Sequence, residues 1–582
     1  MVGSFSVAKA TFSVASNREA TTVARQPGRC LNLKPGTFNS KEYNKRMSHG
    51  VQSYSLPSLF PRIRWLVLVP ALLILAFLLA WTTAGFRGLQ GLGPFAVVAL
   101  LTAVVMWAVW KVLSADRSFA LPSWLAWTVV IAALLRLAGG VVWFTALPVF
   151  GYGNPAEMQG YVMADAHQRD QAAWELSRSD ASLLQAFTGY RMADQYGGLL
   201  YLSALVYRYV GGGTHLPLQM VVIAAGFSAL AVLFTWAFAR RVWDEAAAKA
   251  AAWVLVLYPE AVLLGGSQMR EAFTVTLTVA AFYGLVRYWQ ERTWPGLAWI
   301  LGVLALSLPF SPPFSALLLG LLALQVVFMG GWQVLRRRRL WLILGFLAIL
   351  AVTGAWLAWD QFAPQGVTNP VALFGWWLKK SAEWQAHLSE SASGWIQKIF
   401  DRFLPAWAQT PFLILYGIVR PFLPAALLDT SAPIWKGIAI WRSLGWTALL
   451  AFLAYGSLLS WRLPGRRSAA RGLSVVIWLV ILLSSFRGGG DLWDGPRYRA
   501  AFAGLQAILA GWAWIEYRRS RDPWLRRILI GLGAMLAWFL PWYIRRYTPL
   551  EWPVVDLFKT IGLGLASAAL LMFWDWVRGQ SP

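Results

Sequence analysis

Asp165, His167 and Asp170 stand close together in GYVMADAHQRDQAAWELSRSD, residues 160–180, with Arg169 between the last two. A carboxylate beside a membrane can act as a general base toward a hydroxyl or amine acceptor. Asp165 and Asp170 are too far apart in sequence to be sure of sharing a helix face, whereas Asp165 and Arg169 are spaced to pair on one side. Two other places put a cation at the start of an apolar run. Arg270 and Glu271 end the turn GGSQMRE, and Arg497 and Tyr498 lie in GPRYRA. An arginine there can grip a phosphate or pyrophosphate with two donors at once.

Each of these residues has a plainer reading. Arg270 can snorkel from a helix end, and Glu271 suits the positive N-terminus of a helix. His167 lacks a recognisable metal-ligand spacing and reads more simply as a solvated loop histidine. What singles out the first segment is its acids. The whole chain has 26 acidic residues, yet Glu157, Asp165, Asp170, Glu175, Asp180 and Asp194 all fall within residues 148–198. Charged groups are costly to keep at a bilayer face, so such a cluster is a functional-site hypothesis.

The elements that must position these groups are membrane spans. Hydrophobic residues make up 58% of the chain and charged residues 13%, well below the usual quarter for soluble domains. Apolar runs of near-spanning length recur from Trp65 to the C-terminus. The expected fold is an all-α integral membrane protein of about 14 transmembrane helices, in a range of about 11 to 14, with juxtamembrane helices on the outer face. Many of the 37 tryptophans lie near the ends of apolar runs, as in an interfacial belt. The single cysteine, Cys30, excludes an intramolecular disulfide and a cysteine-built metal site.

Residues 1–61 read as a basic, polar cytoplasmic tail, disordered on composition, with translation starting at Met1 or Met47. Residues 62–582 read as one polytopic membrane domain. Spans are expected near 65–83, 93–114, 123–147, 216–238, 246–264, 271–288, 295–308, 313–330, 340–358, 438–460, 472–486, 500–517, 527–544 and 554–575. The prolines at 309, 312 and 313 divide what would otherwise be one overlong helix.

Lysine and arginine orient the spans. If residues 198–210 lie along the surface rather than crossing, the basic runs at 240–241, 336–339, 462–471 and 518–527 all fall on the cytoplasmic side, and only Arg545 and Arg546 stay on the other. The outer loops are then 148–215, 360–436 and 487–499, with the turn 265–271 beside them. The long one holds WWLKKSAEWQAHLSESASGW, an amphipathic pattern suited to the interface. The net charge of +25 is explained by these runs and anionic lipid, and no nucleic-acid partner is expected. No GxxxxGK[ST] motif is present to power an ATP-driven pump.

Taken in order, these segments resemble a polytopic GT-C glycosyltransferase, of the type that includes protein O-mannosyltransferases and bacterial aminoarabinose transferases. The likeness runs through Asp165-Ala-His-Gln-Arg-Asp170, the Gly/Tyr-rich approach DQYGGLLY, FARRVWDEAAAKAAAW, LYPE followed by GGSQMRE, and the late GPRYRAAFAG. The resemblance implies transfer of a sugar from a polyprenyl-phosphate donor to a glycan, lipid or protein acceptor at the outer face of a bacterial plasma membrane. It implies Asp165 as catalytic base, Arg270 and Glu271 beside the donor, and Arg497 and Tyr498 near the carrier phosphate. Here the acidic loop follows the third span rather than the first, and Ala166 stands where the family often has a second acid. Asp170 therefore shares the candidacy with Asp165. The implied step is one inverting displacement in which cations stabilise the leaving phosphate. No cofactor is called for, and a divalent metal is neither required nor excluded by these residues.

Two other readings compete. A transporter or flippase of lipid-linked saccharide would need charges deep in the spans, for which Arg136 and Glu260 are the nearest candidates. A polysaccharide ligase or polymerase would instead use Lys379, Lys380, His387 and Arg402 of the long loop.

Overall fold

The structure is a computed structural model that describes residues 60–330, 345, 367, 369–390, 394–463, 468–488, 492–554 and 556–579. The chain divides into two compact units, Met1–Leu66 and Val67–Pro582. Of the first, only the opening of helix Phe60–Thr83 is described, so the expected tail lies outside the described residues. The expected span at 340–358 does too.

The second unit is helical, with no strand among the described residues. Among the described residues eight helices are long and apolar enough to cross a membrane, or nine if one bent pair counts as a single span. That is fewer than the expected count of about 14. Part of the difference lies in shorter elements. Trp294–Ser307 has only 14 residues, about 21 Å of helix against a hydrocarbon core of about 30 Å. The break expected at residues 308–313 is present, with Pro312–Gly330 starting after it.

The run expected to span 246–264 is the bent pair. Glu245–Leu257 and Pro259–Gly265 meet at 57°. Pro259 cannot donate to the preceding turn, and it pushes Tyr258 into an extended conformation at φ −67° and ψ 117°. Gly445 of helix Pro433–Arg462 lets that helix pass directly over the bend, because a Cβ there would lie 2.4 Å from Pro259 Cδ.

Helix Leu218–Val242 is the axis of the bundle. Within its apolar window 89% of residues are buried, against 17% for Leu92–Ser114 and 22% for Leu557–Arg578. The last two are apolar on their bare sides as well, which suits lipid rather than water as their surroundings. Around the axis pack Ser123–Phe150, Glu245–Leu257 and Glu271–Glu291.

Gly198–Tyr209 has 12 residues, about 18 Å and too short to cross. It lies against helix Ala164–Arg178. Arg208 fixes the pair by donating to the carbonyls of Leu176 at 2.6 Å, Ser177 at 3.1 Å and Ala181 at 3.1 Å, so it satisfies the carbonyls a helix end leaves open.

Candidate active site

The acids of residues 148–198 separate by environment once folded. Glu157 is buried and accepts from the Gly153 amide at 3.0 Å and from Trp435 Nε1 at 2.9 Å. Asp194 is buried and caps the Gly198 helix through the Leu200 amide at 3.1 Å. Asp170, 1% exposed, accepts from Tyr161 Oη at 2.5 Å and from Tyr207 Oη, and meets His215 Nε2 at 2.6 Å. Burial and the Asp170 charge hold both tyrosine hydroxyls well above their ordinary pKa. Glu175 and Asp180 are exposed on the surface. Asp165 alone among these acids lines a large cavity.

That cavity has a volume of about 640 Å³, and it gathers Asp165, Arg270, Glu271, Arg497 and Tyr498 from widely separated segments. Asp170, His167 and Arg169 do not line it. Asp165 is half exposed, and its carboxylate lies 2.9 Å from Arg497 Nη1. The spacing-based pair with Arg169 does not form. Arg169 is buried instead between Asp194 at 3.5 Å and the Gln268 carbonyl at 3.0 Å, where it ties the acidic segment to the turn that carries Arg270. His167 keeps a buried ring nitrogen without a hydrogen-bond partner among the described residues. Burial lowers its pKa, and His215 adds to this while Asp170 opposes it.

Glycines set the Arg270 turn in place. A Cβ on Gly265 would sit 2.6 Å from Arg136 Cδ, and one on Gly266 would sit 2.4 Å from the Arg136 carbonyl. The turn can therefore rest on the backbone of helix Ser123–Phe150. Arg270 then stacks on Tyr196 at 5.1 Å and donates to the Phe310 carbonyl at 3.4 Å.

Arg497 is closely surrounded. Asp494 lies 3.2 Å away and Tyr498 Oη 3.4 Å. Burial works against its charge, but Glu271, Tyr498, Asp494 and Asp165 outweigh burial and hold its pKa above the ordinary value. Two buried atoms of this wall, Arg497 Nε and Glu271 Oε2, have no hydrogen-bond partner among the described residues.

The turn bearing Arg497 is anchored from behind. Arg442 grips Glu260 through 2.7 Å and 2.8 Å contacts, donates to the Trp493 carbonyl at 3.1 Å and stacks on the Trp493 ring at 4.3 Å. Trp435, itself bonded to Glu157, meets that ring edge-on at 4.8 Å. Glu260 is thus engaged in an ion pair, and it does not line the cavity. Nor does Arg136, which is fully buried and donates to Ser228 Oγ at 3.0 Å and the Ala132 carbonyl at 2.9 Å.

Several cavity residues were not anticipated from sequence: Tyr196, Arg487, Asp494 and Trp384. Trp384 comes from helix Pro370–Glu390 of the long loop. Its Nε1 donates to the Arg487 carbonyl at 2.8 Å, and Arg487 stacks over its ring at 4.4 Å. The amphipathic pattern was the available signal, because it gave that helix one aromatic face to dock. Lys379, Lys380, His387 and Arg402 lie outside the cavity wall. An apolar part of the lining includes Phe314, Leu317, Leu483 and Phe502. Among the described residues no three His, Cys, Asp or Glu side chains gather as a metal-binding group.

No family model matches the chain, and no curated protein matches it. Among solved structures it is similar to an archaeal oligosaccharyltransferase, AglB from Archaeoglobus fulgidus, in complex with an inhibitory peptide and a dolichol-phosphate. The identity is 15%, over 78% of this chain and 55% of that one, with a TM-score of 0.38. The same organism's oligosaccharyltransferase in the apo form gives 15% identity, 77% and 56% coverage and a TM-score of 0.37. Tethered to an acceptor peptide it gives 14%, 77%, 55% and 0.35. The chain spans about half the length of the solved structures it matches.

Proposed function

We propose that this chain is a membrane glycosyltransferase that moves a sugar from a polyprenyl-phosphate donor to an acceptor at the outer face of the membrane. The observation that carries the reading is the shared cavity. A half-exposed carboxylate, Asp165, faces it beside the guanidiniums of Arg497 and Arg270. Asp165 would take the proton of the acceptor hydroxyl or amine as that group attacks the anomeric carbon. The bond from that carbon to the phosphate oxygen breaks in the same displacement, so the sugar inverts. The phosphate leaves as an anion and needs cations rather than an acid. Arg270, Arg487 and Arg497 line the cavity in that role. Phe314, Leu317 and Phe502 suit the first units of a prenyl chain.

The direction of the helices supports the outer-face assignment. Leu218–Val242 and Ala503–Ser520 begin near the cavity and end in Arg240 and Arg241, and in Arg518 and Arg519. Such basic ends belong on the cytoplasmic side, which leaves the cavity outside.

The test is transfer of labelled sugar from a panel of polyprenyl-phosphate sugars in membranes holding wild type or Asp165→Asn. The reading expects transfer by wild type and a drop of about 100-fold or more in the variant. Full transfer by Asp165→Asn would remove Asp165 as base. Absence of transfer from every donor, with movement of intact lipid-linked sugar between leaflets, would replace the reading with transport.

A further inference from the structure

A second cavity, of about 220 Å³, lies behind the Arg497 turn. The turn is a partition between the two. Asp494 and Arg497 face the large cavity, while Trp493 and Pro496 face the small one. Nothing in the proposed reaction uses this second space. Its volume is below the roughly 300–1,000 Å³ of sites for drug-sized ligands, so it suits about one ring.

Its walls define the chemistry of that ring. Tyr416, Phe422, Trp493, Tyr543 and Tyr547 bring aromatic surface from two helices, the residue that caps a third, and the turn. Tyr543 and Tyr547 stack in parallel to within 4°, at 6.2 Å, and hold each other's rings in place on this wall. Asp429 and Arg420 supply the polar part. Asp429 accepts from the Ser431 amide at 3.2 Å through one carboxylate oxygen. Arg442 also reaches this wall, but Glu260 neutralises it. A phosphate would meet Asp429, whose charge offsets that of Arg420, and would gain nothing from Arg442, while an alkyl chain would strip water from the Asp429 carboxylate. A saccharide meets both demands. Its C–H face lies on aromatic rings, and its hydroxyls donate to a carboxylate and accept from a guanidinium.

We infer that the small cavity binds a single saccharide ring. Only the step of calling that ring part of the acceptor rests on the glycosyltransferase reading. The small cavity would then hold one ring of the acceptor away from the reacting centre, while the acceptor's attacking group meets the donor beside Asp165 in the large cavity.

The experiment needs no turnover. Saturation-transfer NMR on the full chain in detergent, with a panel of methyl hexosides and methyl pentosides, reads binding directly. Wild type is expected to saturate at least one glycoside, and Asp429→Asn and Tyr547→Ala are each expected to weaken it at least tenfold. Asp429→Asn retains an oxygen for the Ser431 amide, and Tyr547 is 41% exposed, so both are chosen to fold. Matching thermal unfolding would check that. No saturation by wild type overturns the inference, and so does binding that survives in both variants. Failure of the glycosyltransferase reading would appear separately, in the Asp165 transfer assay.

Discussion

Asp165 and Arg497 come from opposite halves of the sequence and meet at 2.9 Å on the wall of one cavity. The contact is unequal. Arg497 is almost enclosed and shared with Asp494, while half of the Asp165 side chain remains open. An exposed carboxylate in such a pair adds little to stability, within about 1 kcal/mol. We therefore expect Asp165→Asn to unfold within a few degrees of wild type in detergent while its transfer falls. A large drop in Tm with transfer per folded molecule intact would make Asp165 structural.

Asp170 should behave in the opposite way. It is enclosed by Tyr161, Tyr207 and His215, all within hydrogen-bond reach. Removing its charge leaves two buried hydroxyls and a histidine poorly matched, at a cost of about 2 to 3 kcal/mol. Asp170→Asn is expected to lower Tm clearly while transfer, normalised to folded protein, changes much less than in Asp165→Asn. Equal loss of transfer in the two variants would return Asp170 to the reacting centre.

That contrast shows what the sequence could and could not say. The excess of acids singled out the segment that brings Asp165 to the cavity, and the cations before two apolar runs singled out Arg270 and Arg497, which line it too. Which carboxylate faces the cavity depended on partners distant in sequence: Tyr207 and His215 draw Asp170 inward, while Arg497 meets Asp165. Spacing along one helix favoured Asp165 with Arg169, but the local pair lost to the buried site between Asp194 and Gln268. The apolar runs gave the helices well. The span count was less legible, because Pro259 bends one run and Trp294–Ser307 is too short to cross. Trp384 and Arg487 join only through docking of the long-loop helix, which an amphipathic pattern permits without naming the partner.

The buried pair Glu260–Arg442 links stability to the position of the cavity wall. With side chains 2% and 1% exposed and two short contacts, loss of one partner strands a charge at a cost of about 3 to 5 kcal/mol. Glu260→Gln is expected to show this as a large fall in Tm. Replacing both residues with methionine should recover much of the loss, because a well-packed apolar pair can equal a buried ionic one. It should not recover transfer, since the Arg442 bond to the Trp493 carbonyl is gone and the Arg497 turn is no longer anchored. Recovery of both together would show that Arg442 has no positioning role.

Gly488 offers a steric test of the same turn from its other side. A Cβ there would stand 2.7 Å from Tyr498 Cδ2 and 2.9 Å from the Gly495 carbonyl oxygen. The backbone oxygen cannot swing aside, so an added methyl must displace the turn and the Tyr498 ring together. Overpacking of this kind costs about 1 to 3 kcal/mol. Gly437, inside helix Pro433–Arg462, has nothing within 4 Å of an added Cβ and serves as the control. Gly437→Ala should leave transfer unchanged and raise stability slightly, by up to about 1 kcal/mol, through loss of backbone freedom in the unfolded chain. Gly488→Ala should lower both Tm and transfer, with the KM for the donor rising because Tyr498 and Arg497 line its cavity. A Gly488→Ala enzyme with an unchanged donor KM would place the donor away from this turn.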